Sequence, residues 1–250
     1  MSGHSKWATI KRKKGAMDAK RGQLFTKIGR ELTLAARSGG GDPDGNITLR
    51  MMIAKARAAN MPKDNIERAI KRGTGELEGA TLEESTYEAY GPHGSALMIK
   101  TLSDNRNRTV ADVRATLSRH GGRMGEAGSV AWMFDHKGVI AIDAKNRDPD
   151  ELALEMIDFG AEDVKVDGHM VEVYTAPADL HKVQQALDQQ KIAYESAELQ
   201  MVPKNTLELS PEDVAATMRL VETLEELDDV QHVYTNLEIT DAALQQLEAA

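Results

Sequence analysis

The sequence has no cysteine and only ten aromatic residues among its 250 residues. The absence of cysteine excludes disulfide bonds, thiolate metal ligands and a cysteine nucleophile, and it is typical of proteins of the reducing cytosol. With so few aromatic rings, the hydrophobic cores must be built mainly from Leu, Ile, Val, Met and Ala. No stretch approaches the roughly 18 apolar residues of a membrane-spanning helix, and the basic N-terminus lacks the apolar segment of a secretory signal. We therefore expect a cytoplasmic protein that does not contact membranes.

Sequence patterns of enzymes and of metal sites are also missing. The seven histidines include no pair at i, i+4 spacing, and no Gly-x-Ser-x-Gly segment is present. Two glycine-rich segments, at 39–41 and 73–79, lack the Lys-Ser/Thr pair of a phosphate-binding P-loop. We predict no catalytic residue, no metal site and no cofactor.

Charge is distributed unevenly along the chain. Residues 1–75 contain 17 Lys and Arg against 6 Asp and Glu, a net charge of about +11. The remaining residues contain 14 basic and 34 acidic side chains, a net of about −20, so the overall charge of −9 hides the basic segment. Because phosphate binding depends on the local electric field and not on the net charge, the basic segment predicts nucleic-acid binding.

The basic segment has the pattern of a mobile arm followed by three short helices. Residues 1–16 combine basic and small residues without periodicity, which predicts the arm. From Asp18 to about Ala36, apolar residues recur at helical spacing, with Lys27 and Arg30 on the opposite side. A glycine-rich loop at 38–45 precedes a second helix, and a third helix is predicted between Pro62 and a glycine stop at Gly73.

The basic side chains of residues 6–37 and of the following two helices are candidate contacts for phosphates, because Lys and Arg neutralise the nucleic-acid backbone. Trp7 lies within this basic run. It is either a base-stacking residue or an anchor that packs on the body of the protein. The candidate nucleic-acid-binding residues of this region are Lys6, Trp7, Lys11, Arg12, Lys13, Lys14, Lys20, Arg21, Lys27 and Arg30.

A second group of cations lies within the acidic part of the chain. Arg106 and Arg108 directly precede a helix that we predict to start at Thr109, and further arginines follow up to residue 123. A helix N-terminus favours anions, and the planar guanidinium suits bidentate contact with phosphate or a guanine edge. The alternative is that these arginines pair with nearby carboxylates. We include Arg106 and Arg108 among the candidate nucleic-acid contacts.

The acidic part alternates strand and helix patterns. Residues 136–202 give the order β-α-β-β-α-β, which is that of a ferredoxin-like unit, and the segments on either side are incomplete alone. The simplest solution is an α+β fold of three domains, with the ferredoxin-like domain inserted into another α/β domain. The predicted domains are a basic three-helix domain at 1–78, a discontinuous α/β domain at 79–135 plus 203–250, and the inserted domain at 136–202.

Acidic residues are dense near the end of the last predicted helix and just after it. We predict a solvated face that repels nucleic acid from the wrong side of the molecule. The alternative is a surface that meets a basic protein partner. The residues concerned are Glu222, Glu225, Glu226, Asp228 and Asp229.

Seven segments of the chain, taken in order, resemble the YebC/PmpR family. They extend from residue 2 to about 140, and the remainder is compatible in length and pattern. The segments are SGHSKW (2–7), DAKRGQLFTKI (18–28), SGGGDP (38–43), YEAYGPHG (87–94), LSDNRNRT (102–109), GSVAWMF (128–134) and KGVI (137–140).

The resemblance implies three domains, of which the first is small and helical and the other two are α/β. Bacterial members are described as probable transcriptional regulators that bind DNA in the cytoplasm. Mitochondrial relatives act as translational activators, including one for cytochrome c oxidase subunit I, and bacterial relatives have also been linked to the ribosome. The resemblance implies no enzyme activity and supplies no agreed base-reading residues.

Three functions therefore stay open from the sequence. The first is a non-enzymatic regulator of transcription that binds DNA through the basic N-terminal domain. The second is a translation factor that binds ribosomal RNA through the same domain. The third is an adaptor whose acidic α/β face binds a protein. The pattern shows no helix-turn-helix with a clear recognition helix, which favours phosphate binding over sequence-specific base contacts.

Overall fold

The computed structural model describes residues 18–240, 242–243 and 245–246, with side chains from Arg21 onward. The predicted arm at 1–16 lies outside the described residues. The first three elements are the helices α1 (Asp18–Gly39), α2 (Ile47–Ala58) and α3 (Lys63–Thr74). They enclose a core of nine small and aliphatic residues: Ile28, Leu32, Ala35, Ala36, Leu49, Ala56, Met61, Ile66 and Ala69. The predicted helical domain is therefore confirmed.

Two capping residues set the bounds of the second and third helices. Asn46 accepts a hydrogen bond from the Leu49 amide at 3.0 Å and donates to the Ala35 carbonyl at 2.8 Å, which links the start of α2 to α1. The predicted stop at Gly73 is wrong, because α3 continues to Thr74 and Gly75 adopts the left-handed conformation (φ 84°) that ends it.

Gly73 has a different role, which is close packing between helices. A Cβ at this position would lie 2.7 Å from the Cβ of Ala36 and closer still to the Thr33 carbonyl oxygen. The glycine therefore allows α3 to approach α1 at backbone distance.

The next elements start the first sheet. They are β1 (Glu83–Tyr90), β2 (Ala96–Ser103), helix α4 (Arg106–Arg119) and the short strand β3 (Arg123–Met124). The turn between β1 and β2 covers residues 91–95. β1 pairs antiparallel with both β2 and β3.

The chain then forms the predicted ferredoxin-like unit. Its sheet has the order β5-β6-β4-β7, with antiparallel pairing throughout and a core under the helices that includes Ile140, Leu152, Val173 and Leu187. The elements are β4 (Phe134–Asp143), α5 (Pro149–Asp158), β5 (Asp163–Asp167), β6 (Met170–Thr175), α6 (Leu180–Gln189) and β7 (Ser196–Pro203).

The last two elements return to the first sheet and complete it. Helix α7 (Pro211–Glu225) packs on the sheet, and β8 (Val230–Thr235) pairs with β2, so the strand order is β3-β1-β2-β8. The fold is thus α+β, with a helical domain and two α/β domains, one of them inserted into the other. The exact domain boundaries given above stay predictions.

The sequence pattern also predicts strands at residues 129–134 and 206–209, and both predictions are wrong. The first of these segments instead forms a 3₁₀ turn at Ala131–Met133 before β4. The turn forms because the Glu88 carboxylate accepts hydrogen bonds from the backbone amides of Val130 and Ala131. The strand expected at 206–209 is reduced to a single bridge between Leu207 and Leu237. Residues 130–134 form a continuous apolar run and residues 206–209 alternate, but neither backbone has a neighbouring strand that satisfies its hydrogen bonds along its length.

Candidate nucleic-acid interface

Five of the predicted site residues have described side chains, and they lie in different surroundings. Lys6, Trp7, Lys11, Arg12, Lys13 and Lys14 lie outside the described residues, and Lys20 lies in the first turn of α1. The described side chains are those of Arg21, Lys27, Arg30, Arg106 and Arg108. Arg21 is exposed near the start of α1.

Lys27 and Arg30 face the first sheet and bind backbone carbonyls there. Lys27 donates a hydrogen bond to the carbonyl of Glu225. Arg30 donates to the carbonyl of Leu102 at 3.1 Å and to Asp229 Oδ1 at 2.8 Å. These cations hold the helical domain against the end of α7 and the end of β2, in a contact that we call the Asp229 joint.

Asp229 is the centre of this joint. Its buried carboxylate accepts hydrogen bonds from the hydroxyls of Ser103 at 2.9 Å and Thr109 at 2.7 Å, and from Arg108 Nη2 at 2.9 Å, in addition to Arg30. Burial opposes its charge, but the hydrogen bonds from Thr109, Arg108 and Ser103 and the charge of Arg30 outweigh burial and hold the pKa below its usual value. One carboxylate therefore connects α1, the end of β2 and α4.

The start of α4 differs from the prediction. The helix begins at Arg106 and is capped by Asn105, whose side chain accepts the Arg108 amide at 3.1 Å, so the expected start at Thr109 is wrong. Asparagine caps helices as well as threonine does, and the Thr109 hydroxyl is occupied by Asp229. Arg108 pairs with Asp104 and Asp229, whereas Arg106 is exposed and its side chain has no partner among the described residues.

The acidic stretch is only partly a solvated face. Glu225 and Asp229 are buried, and the backbone carbonyls of Glu226 and Asp228 accept hydrogen bonds from Gln23 and Arg30. For Glu225 and Asp229 the prediction of a solvated face is therefore wrong. The acidic end of α7 and the basic helix α1 belong to one chain and neutralise one another across the joint.

A second polar contact joins all three domains. Lys55 on α2 lies 3.0 Å from Glu31 Oε2 on α1 and 3.6 Å from Glu198 Oε1 on β7. Glu31 also lies 3.7 Å from the Nε2 atom of His232 on β8. Burial opposes the charge of Glu31, but the hydrogen bond with His232 and the charge of Lys55 prevail and lower its pKa to about 2.

This cluster predicts a loss of stability in acid. The Glu31 pKa of about 2 is below its usual value of 4.5, so its contribution is present above pH 4.5 and lost as pH falls towards 2. The difference corresponds to at most about 3 kcal/mol. We expect the free energy of unfolding, measured by urea titration, to fall less steeply between pH 4.5 and 2.5 in Glu31→Gln than in the unmodified protein. Parallel curves for the two proteins would contradict this role of Glu31.

A cavity of about 530 Å³ lies beside the Asp229 joint. Its lining includes two arginines, both engaged by carboxylates, and five acidic residues: Asp104, Asp112, Glu226, Asp228 and Asp229. This excess of negative charge disfavours a phosphate at the joint. Within the described ranges, no group of three or more His, Asp or Glu side chains is arranged to hold a metal ion.

Within the helical domain, the exposed cations without a partner among the described residues lie on α2 and α3. Arg57, Arg68, Lys71 and Arg72 are exposed, and no hydrogen bond or ion pair joins their side chains to a described residue. Arg68, Lys71 and Arg72 follow one another at i, i+3 and i+4 spacing, so they share one side of α3. We call this side of α3 the α3 basic face. Arg68, Lys71 and Arg72 were not among the residues named from the sequence. Their helical spacing beside the apolar residues of α3 could have indicated an exposed basic side of this helix.

Two family models match this chain, one over the helical domain and the other over the two α/β domains. The model of the TACO1/YebC protein N-terminal domain matches residues 5–76, and that of the TACO1/YebC second and third domain matches residues 82–237. The chain belongs to the TACO1/YebC family. The break between the two matches falls in the segment between α3 and β1.

Individual members of the TACO1/YebC family resemble this chain along nearly its full length. A protein of Dehalococcoides mccartyi strain BAV1 is 55% identical over 94% of both chains, and one of Moorella thermoacetica is 54% identical over 99% of this chain and 100% of its own. Both are named probable transcriptional regulatory proteins. The crystal structure of a conserved hypothetical protein from Aquifex aeolicus, 43% identical, superposes with a TM-score of 0.82 and covers 90% of this chain and 93% of its own.

No helix in the part of the chain that the structure describes is both long and apolar enough to cross a membrane.

Proposed function

We propose that this protein is a non-enzymatic regulator of transcription that binds DNA in the cytoplasm through its N-terminal helical domain. The observation that carries the proposal is the α3 basic face, whose three cations are exposed and unpaired while other cations of the domain are used internally. Exposed Lys and Arg side chains on one helix can each neutralise a backbone phosphate. The names of the related proteins support the regulatory role.

The contact surface differs from the one expected from the sequence. Lys27, Arg30 and Arg108 hold the protein together, so they contribute to binding by positioning the helical domain. Arg68, Lys71 and Arg72 take their place as phosphate contacts, and Arg21 and Arg106 remain exposed candidates. A surface of this kind binds the phosphates of the nucleic-acid backbone and discriminates little among base sequences.

The test is the triple variant Arg68→Ala/Lys71→Ala/Arg72→Ala in the full chain. We expect its affinity for a DNA duplex, measured by fluorescence anisotropy at several salt concentrations, to fall at least about tenfold. The slope of log affinity against log salt should become shallower by about 2.7, because each lost phosphate contact accounts for roughly 0.9.

The matched control removes the same charge elsewhere. Lys145, Arg147 and Lys204 pair with Asp143, Glu155 and Asp135, so their replacement by alanine should leave both the affinity and the slope nearly unchanged. Equal losses in the two triple variants would mean that only net charge matters. An unchanged affinity in the α3 variant would remove this face from the interface.

RNA is the second candidate target, because a face that contacts only phosphates serves a structured RNA as well as a DNA duplex. Competition between the duplex and a structured RNA of equal charge, at one salt concentration, separates the two functions. Displacement of DNA by a substantially lower concentration of the RNA would favour the translation factor and would contradict the DNA proposal.

A further inference from the structure

Trp132 is an aromatic side chain that the proposed function does not use. It lies in the 3₁₀ turn before β4, and 66% of it is exposed, although the chain has only two tryptophans. Burial of an aromatic ring is a large source of stability, so a ring left in solvent is available to a partner.

The ring is held in one orientation by hydrogen bonds at its edge. Trp132 Nε1 donates to the Ser129 carbonyl at 3.1 Å, and the Tyr90 hydroxyl donates to the same oxygen at 3.1 Å. The indole N–H is therefore satisfied inside the protein, which leaves the ring face as the part that a partner can contact. A ring that is already oriented loses less conformational entropy on binding.

The backbone beneath the ring is also fixed. The Glu88 carboxylate accepts hydrogen bonds from the amides of Gly128 at 2.6 Å, Val130 at 2.7 Å and Ala131 at 2.7 Å. Burial opposes the charge of this carboxyl, but the three amides outweigh it and hold its pKa below the usual value. The turn is thus anchored to β1 and presents Trp132 from a rigid support.

A cation lies next to this aromatic site. The Arg123 guanidinium stacks over the Tyr90 ring, with its central carbon 4.6 Å from the ring centroid. Arg123 is exposed, and no carboxylate of the described residues pairs with it. Because Tyr90 and Trp132 share the Ser129 carbonyl, the guanidinium and the indole lie on the same side of this end of the sheet.

The surroundings of Trp132 favour stacking on a single flat ring over contact with a protein surface. The neighbouring loop residues 125–128 are Gly, Glu, Ala and Gly, so this loop adds no large apolar side chain beside the turn. Protein hot spots place an aromatic ring inside a wider, well-packed contact, whereas proteins that bind single strands stack each base on one aromatic ring beside a cation.

We propose that Trp132 stacks on an unpaired nucleobase and that Arg123 contacts a phosphate beside it. This inference rests on the proposed function in so far as the partner is a nucleic acid, and it adds the preference for an unpaired base. The site is spatially separate from the Asp229 joint, since Ser103 pairs with Glu83 at one end of β1 and Tyr90 lies at the other. Seven residue steps of about 3.4 Å place these ends roughly 24 Å apart.

The test uses the full chain carrying Trp7→Phe, so that Trp132 is the only tryptophan. We expect a single-stranded oligodeoxynucleotide to quench its fluorescence and a blunt duplex of the same sequence to quench it much less. An RNA strand of equal length shows whether the sugar matters, and quenching by either single strand supports the stacking site. Equal quenching by the duplex and the single strands, or no quenching while anisotropy reports binding, would overturn the site.

Variants of the two residues complete the test. Trp132→Ala should weaken single-strand binding roughly tenfold, and Trp132→Phe should restore most of it, because stacking needs a ring. Duplex affinity should stay unchanged in both, whereas the α3 triple variant should lose it. Unchanged single-strand affinity in Trp132→Ala, with circular dichroism equal to that of the unmodified protein, would overturn the stacking site and leave the proposed function intact.

Discussion

Replacing Asp229 with alanine is expected to lower the free energy of unfolding by roughly 4 kcal/mol and to release the helical domain from the first sheet. The substitution removes the one acceptor shared by Ser103, Thr109, Arg30 and Arg108. The carboxylate is buried, so its loss leaves the buried Ser103 and Thr109 hydroxyls without this acceptor and Arg30 without its counter-charge.

Asp228 provides the control for this experiment. Its side chain is exposed and it serves the joint through its backbone carbonyl, which alanine keeps. Asp228→Ala should therefore change the free energy of unfolding, measured by urea titration, by less than about 0.5 kcal/mol. Limited proteolysis in the exposed segment 75–82 should be faster in Asp229→Ala alone. Equal stability and equal cleavage in both variants would mean that the joint does not position the helical domain.

The second large effect is expected at Gly73. Gly73→Ala should lower the free energy of unfolding by roughly 3 kcal/mol, because the new Cβ meets the Thr33 carbonyl and the Ala36 side chain and forces α3 away from α1. Among the described residues, the core between these helices contains nine buried apolar side chains. A core of this size contributes little stability, so a shift of one helix has a large effect on the free energy of unfolding.

Gly22 is the matched position on α1. It also lies in a helix, but a Cβ there meets no atom of the described residues within 4 Å. Gly22→Ala should raise the free energy of unfolding by up to about 1 kcal/mol, since alanine has the higher helix propensity. Opposite signs in the two variants would establish close packing at Gly73. A stabilising effect of alanine at both positions, by urea titration, would show that the helices tolerate the side chain.

The order of the helices and strands was predictable because apolar residues recur at a different spacing in each kind of element. The β-α-β-β-α-β unit at 136–202 and helix α1 were both predicted from spacing alone, and both are confirmed. Errors occurred where tertiary contacts decide. Ala131–Met133 has an apolar pattern that fits a strand, but Glu88, about 40 residues earlier, binds its amides and bends the backbone.

The candidate site was harder to predict, because a basic residue has the same pattern whether it binds phosphate or its own protein. Arg30 and Arg68 are both cations on amphipathic helices, yet Arg30 lies on Asp229 and Arg68 is exposed. The difference depends on a contact between residues about 200 positions apart, which helical spacing does not encode. The charge split between the two parts of the chain was interpreted as a sign of nucleic-acid binding, and the structure shows that some of these charges pair with one another within the chain.

The pairing of Phe134 with Pro203 has a further consequence for how this molecule is divided. These residues begin β4 and end β7, and they lie opposite one another in the ladder, so the ferredoxin-like unit leaves and rejoins the chain at a single point. The chain therefore enters and leaves the unit through a two-stranded stem, and Lys55 holds β7 of the unit to the helical domain. A change of length in the loops far from the stem leaves the path of the first sheet unaltered.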